Sequence, residues 1–130
     1  MYNKTILDRF QNLEYAGGLR GANGTGKAGD SECGDLIKIY ILVDDNQKIQ
    51  TAKFKTYGKV CTIVASDIAC QLIERKDLQH ALSVSAMDIL DEMGEVPTEK
   101  QYCASMAEEA VKNAVEDYYK KKEKEEKNQK

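Results

Sequence analysis

Residues 36–57 commit the chain to a sheet. Leu36 to Val43 is dense in β-branched and aromatic side chains, Asp44-Asp45-Asn46 is turn chemistry, and Ile49 to Tyr57 alternates, with Ile49, Thr51, Lys53 and Lys55 set against Gln50, Ala52, Phe54 and Thr56. This order reads as an antiparallel β-hairpin. Gly58 ends its second strand, and the period then changes. From Val60 to Arg75, the residues Cys61, Val64, Ala65, Ile68, Ala69 and Leu72 recur at about 100° per residue and form one apolar stripe of a helix. A short amphipathic helix precedes the hairpin from Thr5 to about Gln11, with Ile6, Leu7 and Phe10 on one face. Asp77 and Ser85 have the chemistry of N-caps for two short helices, and Ser85-Ala86-Met87-Asp88 resembles a capping box. Gly94-Glu95-Val96-Pro97 is a loop. A last helix runs from about Gln101 to Lys121, with Met106, Ala110, Ala114 and Tyr118 down one side. A helix, a small antiparallel sheet and then helices make an α+β two-layer fold.

The 130 residues suit a single domain with one core. We place that domain at residues 1–119. Residues 120–130, with mixed charge and no apolar face, are expected to be a frayed or disordered tail. The net charge of -3 gives no bulk electrostatic case for nucleic acid. No apolar run approaches the roughly 20 residues that span a bilayer, and the first residues lack a signal-peptide core. The expected compartment is therefore the reducing cytoplasm.

In that compartment the four cysteines, Cys33, Cys61, Cys70 and Cys103, are read as metal or sulfur chemistry where exposed and as core where buried, rather than as disulfides. There is no CxxC pair. Cys33-Gly34-Asp35 places a thiol and a carboxylate two residues apart, where a glycine-rich stretch (Gly17 to Gly29) gives way to the apolar run. Lys100-Gln101-Tyr102-Cys103 opens the last helix. Soft thiolates with one hard carboxylate, drawn from separate elements, are donors for iron or zinc. Gly24-Thr25-Gly26 lacks the strand-before, helix-after setting of a phosphate loop. The lone histidine, His80, has no metal-type partner at helical spacing and reads as a surface residue. Cys70 lies about 180° around its helix from Cys61 and reads as structural. No Ser/His/Asp set is present, and enzymatic turnover is not expected.

Taken together, Cys33-Gly34-Asp35, Phe54-Lys55-Thr56-Tyr57-Gly58, Lys100 with Cys103, and Met106-Ala107-Glu108-Glu109-Ala110 resemble the U-type iron–sulfur cluster scaffold family, that of IscU and the NifU N-terminal domain, over nearly the whole chain. The resemblance implies a three-stranded antiparallel sheet, with a third strand near Ala16 to Arg20. It implies binding of iron and a labile [2Fe-2S] cluster that is passed to apo-proteins. A cysteine desulfurase would deliver the sulfur as a persulfide. The implied ligands are Cys33, Asp35 and Cys103.

Leu13 stands where the family has a proline after Asn12, and three further features depart from it. Its second cysteine position, directly after Tyr57-Gly58, is Lys59. The histidine beside its third cysteine is Tyr102. The proline-rich chaperone-recognition segment is reduced to Val96-Pro97-Thr98-Glu99-Lys100, which puts that partner in doubt. Cys61, about 200° around the helix from Lys59, falls in the apolar stripe as a core cysteine would; with an unwound first turn it is a candidate ligand. Cys61 or an outside thiolate completes the site. Lys59 would set an ammonium beside the thiols and the carboxylate and favour thiolate, while Tyr102 is able to donate a hydrogen bond to sulfur or carboxylate. A second function follows from the same departures: a cluster-less paralogue that accepts persulfide on Cys103 or modulates a desulfurase. A third is a zinc-bound interaction domain.

Overall fold

The computed structural model describes residues 2–30, 32 and 34–128, the Asp30 side chain excepted. Helix α1 (Lys4–Gln11) leads into strands β1 (Gly24–Asp30), β2 (Asp35–Val43) and β3 (Ile49–Tyr57), followed by helices α2 (Val60–Ile73), α3 (Leu78–Ser83), α4 (Ala86–Met93) and α5 (Tyr102–Asn128). The sheet is antiparallel throughout, in the order β1-β2-β3. Side chains of β2 alternate strictly, so Ile37, Ile39, Ile41 and Val43 face the helices. Phe54 and Ala52 of β3 stand beside Ile39 and Ile41 on that same buried face. Helix α5 covers β1 and β2, and α2 covers β3. The α+β two-layer architecture expected from the residue pattern is therefore present.

The hairpin closes as its residues dictate. Asp44 Oδ1 accepts hydrogen bonds from the Asn46 and Lys48 amides at 2.8 and 3.0 Å. A register shift between Leu42 and Val43, paired with Thr51 and Ile49, leaves Gln50 as a bulge. Asp77 caps α3 by accepting from the His80 amide, and Ser85 and Asp88 form a full capping box on α4.

The third strand is not where the resemblance put it. Ala16 makes only an isolated parallel bridge with Phe54, on the free edge of β3, and the strand itself is Gly24–Asp30. Glycine is a poor strand former, so Gly24-Thr25-Gly26-Lys27-Ala28-Gly29 carries no local strand signal. Packing supplies the reason for it. A Cβ on Gly26 would overlap Ala110 O and Ala114 N of α5, and one on Gly24 would lie 2.6 Å from Ala114 O. Bare backbone lets the helix lie directly on the strand. Gly26→Ala is expected to lose about 2–3 kcal/mol of stability, measured as a fall in the urea midpoint with an unchanged slope.

Other elements differ in extent. Helix α5 continues past Lys121 to Asn128, its exposed end bridged by Lys121–Asp117 and Lys127–Glu123 pairs one turn apart. Of the apolar residues on α1, Ile6 is buried while Leu7 and Phe10 are exposed. Helix α2 has no single stripe: Thr62, Ser66, Asp67 and Cys70 are buried along with its apolar positions, because α1, β3, α4 and α5 surround it. Arg9 of α1 donates to Asp67 Oδ2 at 2.8 Å, and Asp67 Oδ1 accepts the amides of Glu14 and Tyr15 at 3.0 and 2.9 Å. This buried carboxylate pins α1 and the loop after it to α2.

Candidate functional site

The first residue of β2 and the first turns of α2 and α5 meet at one end of the sheet. Asp35 opens β2 and is buried. Its Oδ1 accepts from the Thr62 hydroxyl at 2.8 Å and, more loosely, from the Lys59 amide at 3.4 Å. Its Oδ2 accepts from the Tyr102 hydroxyl at 3.0 Å. Gly58 makes this possible, because a Cβ there would collide with Asp35 Oδ1. Burial alone would raise the Asp35 pKa, but the hydrogen bonds from Thr62, Tyr102 and the Lys59 amide, with the Lys59 ammonium nearby, hold it below the ordinary carboxylate value.

The same network shifts its other members. Burial, followed by the bond to Asp35, raises the Tyr102 pKa and keeps the hydroxyl protonated as the donor. The Lys59 pKa is raised, first by its hydrogen bond with Tyr102 and also by attraction to the Asp35 carboxylate. Lys59 Nζ lies 5.9 Å from the Tyr102 ring centroid.

Lowering the Asp35 pKa in the folded state stabilises the fold when the carboxylate is charged. That contribution is complete above the unfolded value of about 4 and is lost as pH falls through the lower folded value. Asp35→Asn is accordingly expected to flatten the acid limb of the stability–pH curve, followed by denaturant melts between neutral and strongly acidic pH. An unchanged acid limb would contradict the network.

The cysteines divide into two environments. Cys61, in the first turn of α2, and Cys103, in the first turn of α5, are both fully buried and near enough to shift one another's pKa. The hydrogen bond with Cys103 holds the Cys61 pKa down to about 6 against burial, helped by Thr62, Tyr2 and the Lys100 charge. The Cys103 thiol is pushed up, first by Cys61 and then by burial. Cys103 Sγ also lies 2.8 Å from Lys100 O. Tyr2 closes over this corner, with Lys100 Nζ 4.1 Å from its ring centroid. Cys70 is enclosed in the core, where burial pushes its thiol well up. His80 is exposed on α3.

Asp35, Lys59, Tyr102, Cys61 and Cys103 are thus brought to one end of the sheet. Cys33 lies outside the described residues. Thr62 was not singled out from sequence; a hydroxyl inside an apolar stripe was the available signal for it. Tyr2, with the helix after it, matches the family's amino end, but nothing in the sequence placed it beside these cysteines. Cys61 is at once the core residue its stripe implied and the immediate neighbour of Cys103, with the first turn of α2 intact.

The donor set can be tested for a metal. Among the described residues, no three Cys, His, Asp or Glu side chains converge closely enough to hold an ion. The Cys61–Cys103 pair supplies two soft donors. Asp35 has three of its roughly four lone-pair sites engaged, which leaves one on Oδ2. With the thiol of Cys33, two residues before Asp35 in the chain, the donor chemistry fits iron, an iron–sulfur cluster or zinc.

Comparisons with known proteins agree with this architecture. Residues 1–125 match the family model described as NifU-like N terminal domain. The chain is 35% identical over 121 residues to iron-sulfur cluster assembly scaffold protein IscU 1 of Archaeoglobus fulgidus, covering 93% of this chain and 78% of that one. It is 37% identical over 120 residues to IscU of Haemophilus influenzae, covering 90% and 94% of the two chains. With IscU of Escherichia coli it is 34% identical over 125 residues, covering 94% and 97%. The fold is shared with a putative iron-sulfur cluster assembly scaffold protein for the SUF system from Fervidobacterium islandicum, at a TM-score of 0.70, 19% identity and 88% and 96% coverage. It is shared also with a NifU-like N-terminal protein from Brucella abortus, at a TM-score of 0.67, 15% identity and 91% and 94% coverage. With nearly its whole length matched and identities above a third, this chain belongs to the NifU-like N-terminal domain family.

Proposed function

We propose that the protein is a scaffold on which iron–sulfur clusters are assembled and from which they pass to apo-proteins. The observation that supports this reading most is the placement of Asp35, Cys61 and Cys103 at the start of β2, α2 and α5, elements that Asp35 links at one end of the sheet through Thr62 and Tyr102, in a chain of this family. Iron and a [2Fe-2S] cluster are the cargo. Cys33, Asp35 and Cys103 bind it, and Cys61 completes the set in place of the position occupied by Lys59. The carboxylate is a hard donor beside soft thiolates, and it keeps the cluster labile enough to leave. Thr62 and Tyr102 orient Asp35, and Lys59 balances its charge. Zinc takes the same donors in the isolated protein. The partners are a cysteine desulfurase and apo iron–sulfur proteins, the compartment is the cytoplasm, and the role is assembly without catalytic turnover. No helix among the described residues is long and apolar enough to cross a membrane.

Anaerobic reconstitution with iron and sodium sulfide tests this reading, followed by visible absorption and by iron and sulfide content. The wild type should hold a cluster that an apo-acceptor removes. Cys33→Ser, Cys61→Ser and Cys103→Ser should each lower cluster content by at least about tenfold. Full loading of Cys61→Ser would return the fourth position to an outside thiolate. No cluster in the wild type would overturn the reading.

A further inference from the structure

The net charge of -3 conceals an uneven distribution. Helices α2 and α5 cover one face of the sheet and leave the other open to solvent. By strand register that open face carries Lys27, Lys38, Lys53 and Lys55, with Tyr40 and Tyr57 among them, and none of its strand positions is acidic. Lys27 stands directly opposite Lys38, and Lys38 directly opposite Lys55, so three ammonium groups form a row across the three strands. Lys53 is opposite Tyr40. None of the four lysines has an ion-pair partner among the described residues. Like charges set directly opposite destabilise a sheet. Lysine commonly guards sheet edges against pairing with other chains, but β2 is the central strand and has no edge to guard. The row costs the fold stability, and it points to a polyanion that neutralises it.

The rings decide which polyanion. Lys38 Nζ lies 5.4 Å from the Tyr40 ring centroid, and Tyr57 is 63% exposed. Tyr57 pairs with Leu36, four residues along β2 from Tyr40, so the two rings rise from the sheet about 14 Å apart. Lys38 and Lys55 stand between them. An acidic protein surface has a use for the lysines alone. A single-stranded nucleic acid uses both groups: its phosphates meet the ammonium groups, and its unpaired bases stack on flat aromatic side chains. Thr25 is directly opposite Tyr40, which sets a hydroxyl beside the sugar of a nucleotide stacked on that ring. The ribose 2′-hydroxyl, both donor and acceptor, is its complement. We propose that the outer face of the sheet binds single-stranded RNA, with bases on Tyr40 and Tyr57 and phosphates on Lys27, Lys38, Lys53 and Lys55. The face lies outside the cluster site, and this binding stands whether or not the chain loads clusters.

The test uses the full chain and a fluorescently labelled oligouridylate of about eight nucleotides, followed by fluorescence anisotropy over a series of salt concentrations. Wild type should bind at low salt, and log K should fall against log salt with a slope of about −2 to −3, the value for about three or four phosphate contacts to a single strand. Lys38→Glu should weaken binding at least about tenfold and flatten that slope. The same variant should raise the urea midpoint, because it turns the repulsions with Lys27 and Lys55 into attractions. Tyr40→Ala should weaken binding at least about fivefold and leave the slope as it is, since it removes stacking and no charge. Oligothymidylate of the same length should bind more weakly than the RNA. Absence of binding at low salt would overturn the proposal, as would wild-type affinity in Lys38→Glu or in Tyr40→Ala. Oligothymidylate, polyglutamate or phosphatidylserine vesicles held as tightly as the RNA would overturn it too, and would assign the face to DNA, to an acidic protein or to a membrane surface.

Discussion

Asp67→Ala is expected to lower the unfolding free energy by about 3–5 kcal/mol, a large part of the roughly 5–15 kcal/mol that holds a domain of this size together. The Asp67 side chain is completely buried and is the acceptor for three donors: Arg9 Nε and the amides of Glu14 and Tyr15. Arg9 Nη2 is also buried and has no hydrogen-bond partner among the described residues, so the guanidinium leans on this one carboxylate. Alanine would leave a charge and two amides without partners inside the protein, along with a cavity. Asp67→Asn keeps an oxygen for the two amides but not the charge, and should lose less. Urea unfolding of the two variants checks the order. A loss below about 1 kcal/mol for alanine would mean that water reaches Arg9 and that the pair behaves as a surface bridge.

Lys59→Cys is expected to lengthen cluster retention by at least about tenfold. Lys59 caps the start of α2 beside Asp35, where the resemblance implies a thiol ligand. Cysteine there adds a soft donor and removes an ammonium, which is a poor ligand while protonated. Lys59→Met separates the two effects, since it removes the charge without adding a donor. Transfer of reconstituted cluster to an apo-ferredoxin-type acceptor, followed by visible absorption, gives the rates. Equal retention in Lys59→Cys and the wild type would mean that the Cys61–Cys103 pair already saturates the site.

The hairpin, the capped short helices and the long last helix were legible because each is specified locally. Alternation fixes which side of β2 faces inward, and Asp77, Ser85 and Asp88 cap with their own side chains. Strand β1 was not legible, because Gly24 and Gly26 are demanded by the backbone of a helix more than eighty residues away in the chain. The Asp67 clamp was hidden for a similar reason: an aspartate inside a helical stripe is explained only by Arg9 and by the loop amides it satisfies. At the site, the bond from Tyr102 to Asp35 follows an expectation drawn from side-chain chemistry. The contact of Cys61 with Cys103 does not, since helical periodicity says which face of α2 a residue occupies and nothing about which helix covers that face.

The meeting of Cys61 with Cys103 also fixes where two helices begin. Each cysteine sits in a first turn, and the amino ends of α2 and α5 lie together at this end of the sheet. Every such end presents unpaired backbone N–H groups and roughly half a positive charge from its macrodipole. Thiolate, sulfide and a cluster ligated by them are all anionic. The backbone itself is therefore a standing countercharge for the sulfur cargo, present whatever side chain stands at position 59, and being fixed in the fold it is weakly screened by salt compared with the exposed lysines around it.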